Sequence, residues 1–253
     1  MNWINAMIIT FSMYSKIPMP RMEWKEKDMK YAMIFFPFVG AVVGGTLFVW
    51  WILSERLGIE IFFKSALAVS LPIIITGGIH LDGFLDTMDA ISSYQPREKK
   101  LEILKDPHTG AFAIISGLVY VILYIGAVSE INTQSGWLIM CLGFIVSRSL
   151  SGLSLVWFPS AKKEGLLHTF SEAAHRRLTR IVLLLVLILT LTGMIFCNPV
   201  QGIVAGLTAG SVFFYYKRLS FKEFGGITGD LAGFFLQICE LFIVISLAFT
   251  DKL

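Results

Sequence analysis

The chain has 253 residues, 55% of them apolar and only 15% charged, with 21 Lys and Arg against 18 Asp and Glu. At a mean hydropathy of +0.72, that balance excludes an ordinary water-soluble domain and predicts an integral membrane protein. The small excess of positive charge, +3, comes from loop residues and does not suggest a nucleic-acid partner. Cys141, Cys197 and Cys239 fall in or beside apolar segments with no C-x-x-C spacing, so they read as small hydrophobes, not as a zinc site or a disulfide framework.

The apolar stretch from Trp3 to Tyr14 has no basic residue before it and no small-residue cleavage pattern after it, so it does not read as a removed signal peptide. It is short for a span, and Trp3 and Tyr14 suit an interface. Membrane spans are expected at about 31–53, 65–79, 111–129, 136–158, 181–196, 199–216 and 231–249. The fold class is therefore all-α: a polytopic integral membrane helical bundle of six to seven transmembrane helices, one domain over residues 1–253, without internal repeat or linker. In the first span, Gly40, Gly44 and Gly45 give a small-x-x-x-small pattern that lets another helix approach closely.

Basic residues alternate between connections. Lys16, Arg21, Lys25, Lys27 and Lys30 precede the first span, and Arg97, Lys99, Lys100 and Lys105 follow the second. Lys162, Lys163, Arg176, Arg177 and Arg180 fall in 159–180, and Lys217, Arg218 and Lys222 in 217–230, whereas the intervening connections hold few or none. The positive-inside rule then places residues 80–110, 159–180 and 225–230 together on the cytoplasmic side of the membrane.

Residues 77–89, Gly-Gly-Ile-His-Leu-Asp-Gly-Phe-Leu-Asp-Thr-Met-Asp, carry the sharpest signal. On a helix, Asp86 lies about 40° from Asp82, and Asp89 about 20° to its other side. One such charge at the centre of a lipid-facing helix costs roughly 2.5–3.5 kcal/mol, so this face must meet water, protein or a cation. The alternative is a solvated helix end. Clustered hard oxygens suit Mg²⁺ or Mn²⁺, and Gly83 leaves room for a bulky ligand near the backbone.

Glu102 and Asp106 are four apart with Lys105 beside them, ahead of the helix-breaking Pro107 and Gly110. They read either as an amphipathic surface helix or as a further metal ligand, Asp106, and a phosphate contact, Lys105. Gly225-Gly226-Ile227-Thr228-Gly229-Asp230 opens the last span. Backbone N–H groups of such a loop can face an anion; the plainer reading is a turn with Asp230 as helix cap. Arg148 and Glu240 lie deep in apolar spans and read as partners of one another or as site residues. His80, His168 and His175 lack ligand spacing, and the basic run in 159–180 reads as a headgroup-facing surface or a nucleotide-phosphate site. No Ser-His-Asp set, Walker loop or G-x-G-x-x-G is present. The residues by themselves support metal-assisted chemistry or transport of something anionic.

Taken together, residues 77–83 with Asp86 and Asp89, Leu101–Asp106 with Gly110, and Gly225–Asp230 with Glu240 resemble the cobalamin synthase family, the adenosylcobinamide-GDP ribazoletransferases. Phe36-Pro37-Phe38-Val39-Gly40 and Pro18-Met19-Pro20 match more weakly and in the same order. The resemblance implies an enzyme that moves phosphocobinamide from adenosylcobinamide-GDP to α-ribazole or its 5′-phosphate, with release of GMP. It implies Mg²⁺ held by Asp82, Asp86, Asp89 and Asp230, catalytic roles for Asp82, Asp86, Asp89 and Asp106, and substrate contacts from His80, Lys105, Arg148, Gly226, Thr228 and Gly229. It further implies a bacterial or archaeal cytoplasmic membrane protein associated with other enzymes of the late corrinoid pathway. Pro107-His108 stands where the family usually has Ser-Arg, and Gln237 where an acid is expected. Two other classes share some of these features. A CDP-alcohol phosphotransferase uses a similar acidic helix, but with an Ala-Arg pair and longer aspartate spacing that this chain lacks. A cation-coupled transporter would be expected to place its acids near the midplane, often with inverted repeats.

Overall fold

The computed structural model describes residues 3–161, 170 and 174–252. His168, Lys162 and Lys163 lie outside these residues. The chain is helical throughout the described residues: α1 (Trp3–Tyr14), α2 (Glu26–Met29), a 3₁₀ turn (Ala32–Phe35), α3 (Phe36–Leu57), α4 (Ile61–Thr76), α5 (Ile79–Ser92) and α6 (Arg97–Ile103). Then come α7 (Ala111–Ser129), α8 (Gln134–Trp157), α9 (Arg176–Cys197), α10 (Pro199–Leu219), a π-turn (Ser220–Phe224) and α11 (Gly229–Thr250).

Local chemistry sets the boundaries. Pro37 occupies the first turn of α3, where its missing N–H is no loss, and Gly58 ends that helix in the left-handed region. Asn198 caps α10 by accepting from the Gln201 N–H at 3.1 Å, with Pro199 following it. Thr133 caps α8 through Gly136 N–H in the same way.

The decisive boundary lies between α4 and α5. Gly77 (φ 65°) and Gly78 (φ 78°) are both left-handed, and the two helices meet at 97°. The expected second span, 65–79, therefore does not run straight into the aspartates. It is one arm of a broken or re-entrant span, and α5 turns off it.

Among the described residues, five helical segments are long and apolar enough to cross a membrane, six if the α4–α5 pair is one span. The expected span at 199–216 forms α10, whose 21 residues give about 31 Å of length, but it is too polar to join them. The polytopic all-helical bundle is the fold the composition demanded.

Burial separates inner from outer helices. The most apolar window of α8 is 89% buried and that of α11 78%, against 22% for α7 and 17% for α9. The inner pair forms the axis; α7 and α9 turn most of their surface outward. α1 packs inward, with Ala6 and Ile9 fully buried and the Thr10 hydroxyl donating to Ala32 O at 2.6 Å. It covers the 28–36 segment.

α3 lies on α8 through its glycines. A Cβ at Gly40 would sit 2.7 Å from the Phe144 carbonyl carbon and 2.9 Å from Arg148 Cδ, whereas one at Gly45 would meet nothing within 4 Å. Gly40→Val should therefore lower the thermal midpoint in detergent by the equivalent of ~1–3 kcal/mol or more, and Gly45→Ala should leave it unchanged or raise it. Equal melting of the two variants would refute this backbone-close packing.

Candidate functional site

The site is built on α5. Its inner face carries His80, Gly83, Phe84, Thr87 and Ala90, all buried, while Asp82 is exposed and Asp86 and Asp89 half-buried. The 3.6-residue period thus splits the helix into a packing face and an acidic face, as the spacing predicts.

α5 is held against α11 at the closest range that side chains permit. A Cβ on Gly83 would lie 2.8 Å from the Asp230 carbonyl oxygen, and one on Gly233 would lie 2.9 Å from His80 O. Phe84, on the same inner face, rests between Tyr120 of α7 (ring centroids 5.1 Å apart) and Phe234 of α11 (5.9 Å). Gln237, where the resemblance leads one to expect an acid, accepts the Tyr120 hydroxyl at 2.5 Å and so links α7 to α11 beside that ring.

The motifs meet at one end of the bundle. Asp89 reaches Gly110, the residue before α7, in a contact open only because Gly110 has no Cβ. Asp230 touches Gly83. The 225–229 loop pairs with the segment after α8: Ile227 N–H donates to Pro159 O at 3.0 Å, and Ala161 N–H to Ile227 O at 2.9 Å. On its other side, Lys100 of α6 binds Glu223 at 2.5 Å. These are the three connections that charge alternation groups together.

Several site expectations change. Asp106 is not on a helix face with Glu102: α6 ends at Ile103, and Glu102 pairs with Lys99 at 2.8 Å. Asp106 instead binds the backbone N–H and ring of its neighbour His108 (2.9 and 2.7 Å), with the backbone bond the first cause of a carboxyl held below its ordinary range. Lys105 is exposed beside it.

Gly226 does not offer its N–H to an anion, because that group donates to Ser220 O at 3.2 Å. Its role is close approach: a Cβ there would lie 2.6 Å from Pro159 O. Thr228, not Asp230, caps α11, its hydroxyl accepting from Leu231 N–H at 3.2 Å. Gly229 faces open space.

His80 is buried between Tyr14 and Phe36, and its Nε2 has no hydrogen-bond partner among the described residues. It packs beneath the acidic face and does not reach the mouth. Arg148 is likewise no surface phosphate contact. At 1% exposure it binds Glu240 at 2.6 Å, with Ser147 Oγ donating to the same Glu240 oxygen at 2.8 Å. Of the two readings open for Arg148 and Glu240, the pair is the one the geometry takes.

No three His, Cys, Asp or Glu side chains among the described residues converge to hold a metal by themselves. The donors on the acidic face are all carboxylates, which fits a hard cation such as Mg²⁺ and not a thiolate or imidazole site. Mg²⁺ commonly takes only one or two protein carboxylates, with water and substrate phosphates filling its other positions. The residues present fit that mode of binding.

Sequence reasoning missed Arg97, which counted only toward orientation. Its guanidinium lies over Gly225, and its Nη2 donates to Phe221 O at 3.4 Å. Only a long-range contact reveals this, so no local spacing could have found it.

A bent span, an acidic helix at one end of the bundle and glycine-mediated contacts around it define a polytopic membrane protein with a carboxylate-bearing end. Within that class, the chain belongs to the cobalamin-5-phosphate synthase family, whose model matches residues 6–248. An adenosylcobinamide-GDP ribazoletransferase of Lachnoclostridium phytofermentans is 51% identical over 241 residues, 95% of this chain and 92% of that protein. Proteins of the same name from Clostridium botulinum and Pseudomonas fluorescens are 36% identical (95% of each chain) and 30% identical (97% of this chain, 98% of the other). No solved structure matches the chain.

The buried pair gives a direct test of packing inside the bundle. Arg148→Met or Glu240→Leu alone should destabilise the protein by ~3–5 kcal/mol, because each strands a charge, and the two together should recover most of the loss. Thermal unfolding of the four proteins in one detergent measures the coupling. A double variant as unstable as the sum of the singles means the charges are not partners.

Proposed function

We propose that this protein transfers phosphocobinamide from adenosylcobinamide-GDP to α-ribazole or its 5′-phosphate, with release of GMP, closing the nucleotide loop of cobalamin. The observation that carries the reading is family membership over residues 6–248, with Asp82, Asp86 and Asp89 on α5 outside its packing face. In this reaction a ribose hydroxyl of the acceptor attacks the cobinamide-side phosphorus of the donor. A phosphorus–oxygen bond to the ribose forms, the bond to the guanylyl phosphate breaks, and the hydroxyl proton passes to a base.

The protein's part is positioning and charge. Asp82, Asp86 and Asp89 would hold Mg²⁺, and Asp230, whose backbone lies against Gly83, would support the set. When bound, the ion neutralises charge building on the phosphates during an in-line displacement. Asp89, steered by its contact with Gly110, accepts the hydroxyl proton. Lys105 and the open backbone at Gly229 contact phosphate oxygens. The chain sits in the cytoplasmic membrane with this end facing the cytoplasm, as its Lys and Arg distribution favours.

The test is GMP release by detergent-purified protein given adenosylcobinamide-GDP and α-ribazole, with CDP-diacylglycerol as the rival donor. Wild type should form a complete corrinoid in Mg²⁺ and lose activity with chelator. Asp82→Asn and Asp86→Asn should each lower turnover by roughly a thousandfold, equivalent to several kcal/mol of lost charge stabilisation, with the melting temperature retained. Near-normal turnover in either variant sinks the metal assignment. CMP in place of GMP sinks the reaction.

A further inference from the structure

α6 carries three cations in four residues, and two of them are neutralised. Lys99 binds Glu102 at 2.8 Å and Lys100 binds Glu223 at 2.5 Å. Arg97, the third, makes no ion pair among the described residues, although Glu223 lies on the turn it touches. That carboxylate is held first by Lys100 and then by Lys222 at 3.1 Å, and both keep its carboxyl below the usual range. Arg97 is therefore left with its charge unpaired by any acid among the described residues.

It is nonetheless fixed in place. Its Nη2 donates to Phe221 O at 3.4 Å, 124 residues along the chain, and its Nη1 lies 2.8 Å from where a Gly225 Cβ would stand. Gly225 is left-handed (φ 80°) and ends the π-turn, so the loop that leads to Asp230 presents bare backbone to the guanidinium. One of five guanidinium donors is used among the described residues, and Arg97 as a whole is exposed. A planar donor fork with no acid paired to it among the described residues, held against the loop that leads to Asp230, has the geometry for a phosphate.

We propose that Arg97 binds the guanylyl phosphate of the donor, the half that leaves as GMP. This rests on the reaction proposed above: if the reacting phosphorus lies on the acidic face of α5, the donor's other phosphate is the anion left for a cation across the 225–229 loop. Arg97 then acts as a binding residue for the leaving group and takes no part in proton transfer.

The experiment measures two quantities on the full-length protein in detergent: equilibrium binding of GMP and of guanosine, and steady-state KM for each substrate. Arg97→Ala should weaken GMP binding and raise the donor KM by ~10–100-fold, the loss expected for a charge-assisted bond. Guanosine affinity and the acceptor KM should stay unchanged, Arg97→Lys should recover part of the loss, and Lys99→Ala should behave as wild type. A purely structural Arg97 would shift both KM values and guanosine binding together, which would overturn the proposal, as would unchanged GMP affinity in Arg97→Ala. If wild type makes no corrinoid yet loses GMP binding on substitution of Arg97, the reaction falls and the phosphate site stands.

Discussion

The contact on which the site depends is the backbone-to-backbone crossing of α5 on α11 at Gly83 and Gly233. With no side chain between them, the aspartate helix lies directly on one of the two innermost helices of the bundle. Its inner face is spent on packing and its acids are forced outward to one side. The same crossing sets the Asp230 backbone against Gly83, although 140 residues separate it from the motif. Membrane helices lack a hydrophobic drive to associate among themselves, so small-residue contacts of this kind do much of the work of holding them. α3 on α8 at Gly40 repeats the device on the other flank.

The Arg148–Glu240 pair shows a second constraint. Two charges at 1% and 3% exposure are tolerable only when matched and when their remaining hydrogen-bonding capacity is partly met, here by Phe144 O and Ser147. The pair joins α8 to α11, the two innermost helices, while the Tyr120–Gln237 bond joins α7 to α11. A neutral amide at Gln237 suits a neutral phenol partner, and an acid there would add a second buried charge near Glu240. The polar groups inside the bundle therefore fix register between helices, and the polar groups at its end are left for chemistry.

Much of the fold was legible in the chain itself. Long apolar runs can only be helices in lipid, because every backbone group must be satisfied within the segment, and the acidic stripe of α5 follows from the helical period. The grouping of three connections was legible from charge alternation, and the contacts of Gly83 with Asp230, Arg97 with Gly225, and Ile227 with Pro159 and Ala161 join those same connections. What was not legible was whether a given apolar run is straight. The Gly77-Gly78 pair permits a turn, but whether the chain bends there by 97° depends on what α5 packs against.

Residue roles divide on the same line. The sequence by itself determined the class of protein, the acidic face and the family motifs, because hydropathy and helical periodicity are properties of neighbouring residues. Tertiary structure alone decided that Arg148 is paired, that His80 is buried, that Gly226 has spent its N–H on Ser220, and that Arg97 lies over Gly225. Each of those outcomes turns on a partner that another part of the fold supplies, and in three of the four that partner is distant in the chain. Burial and hydrogen bonding are satisfied in space, where sequence spacing carries no record of them.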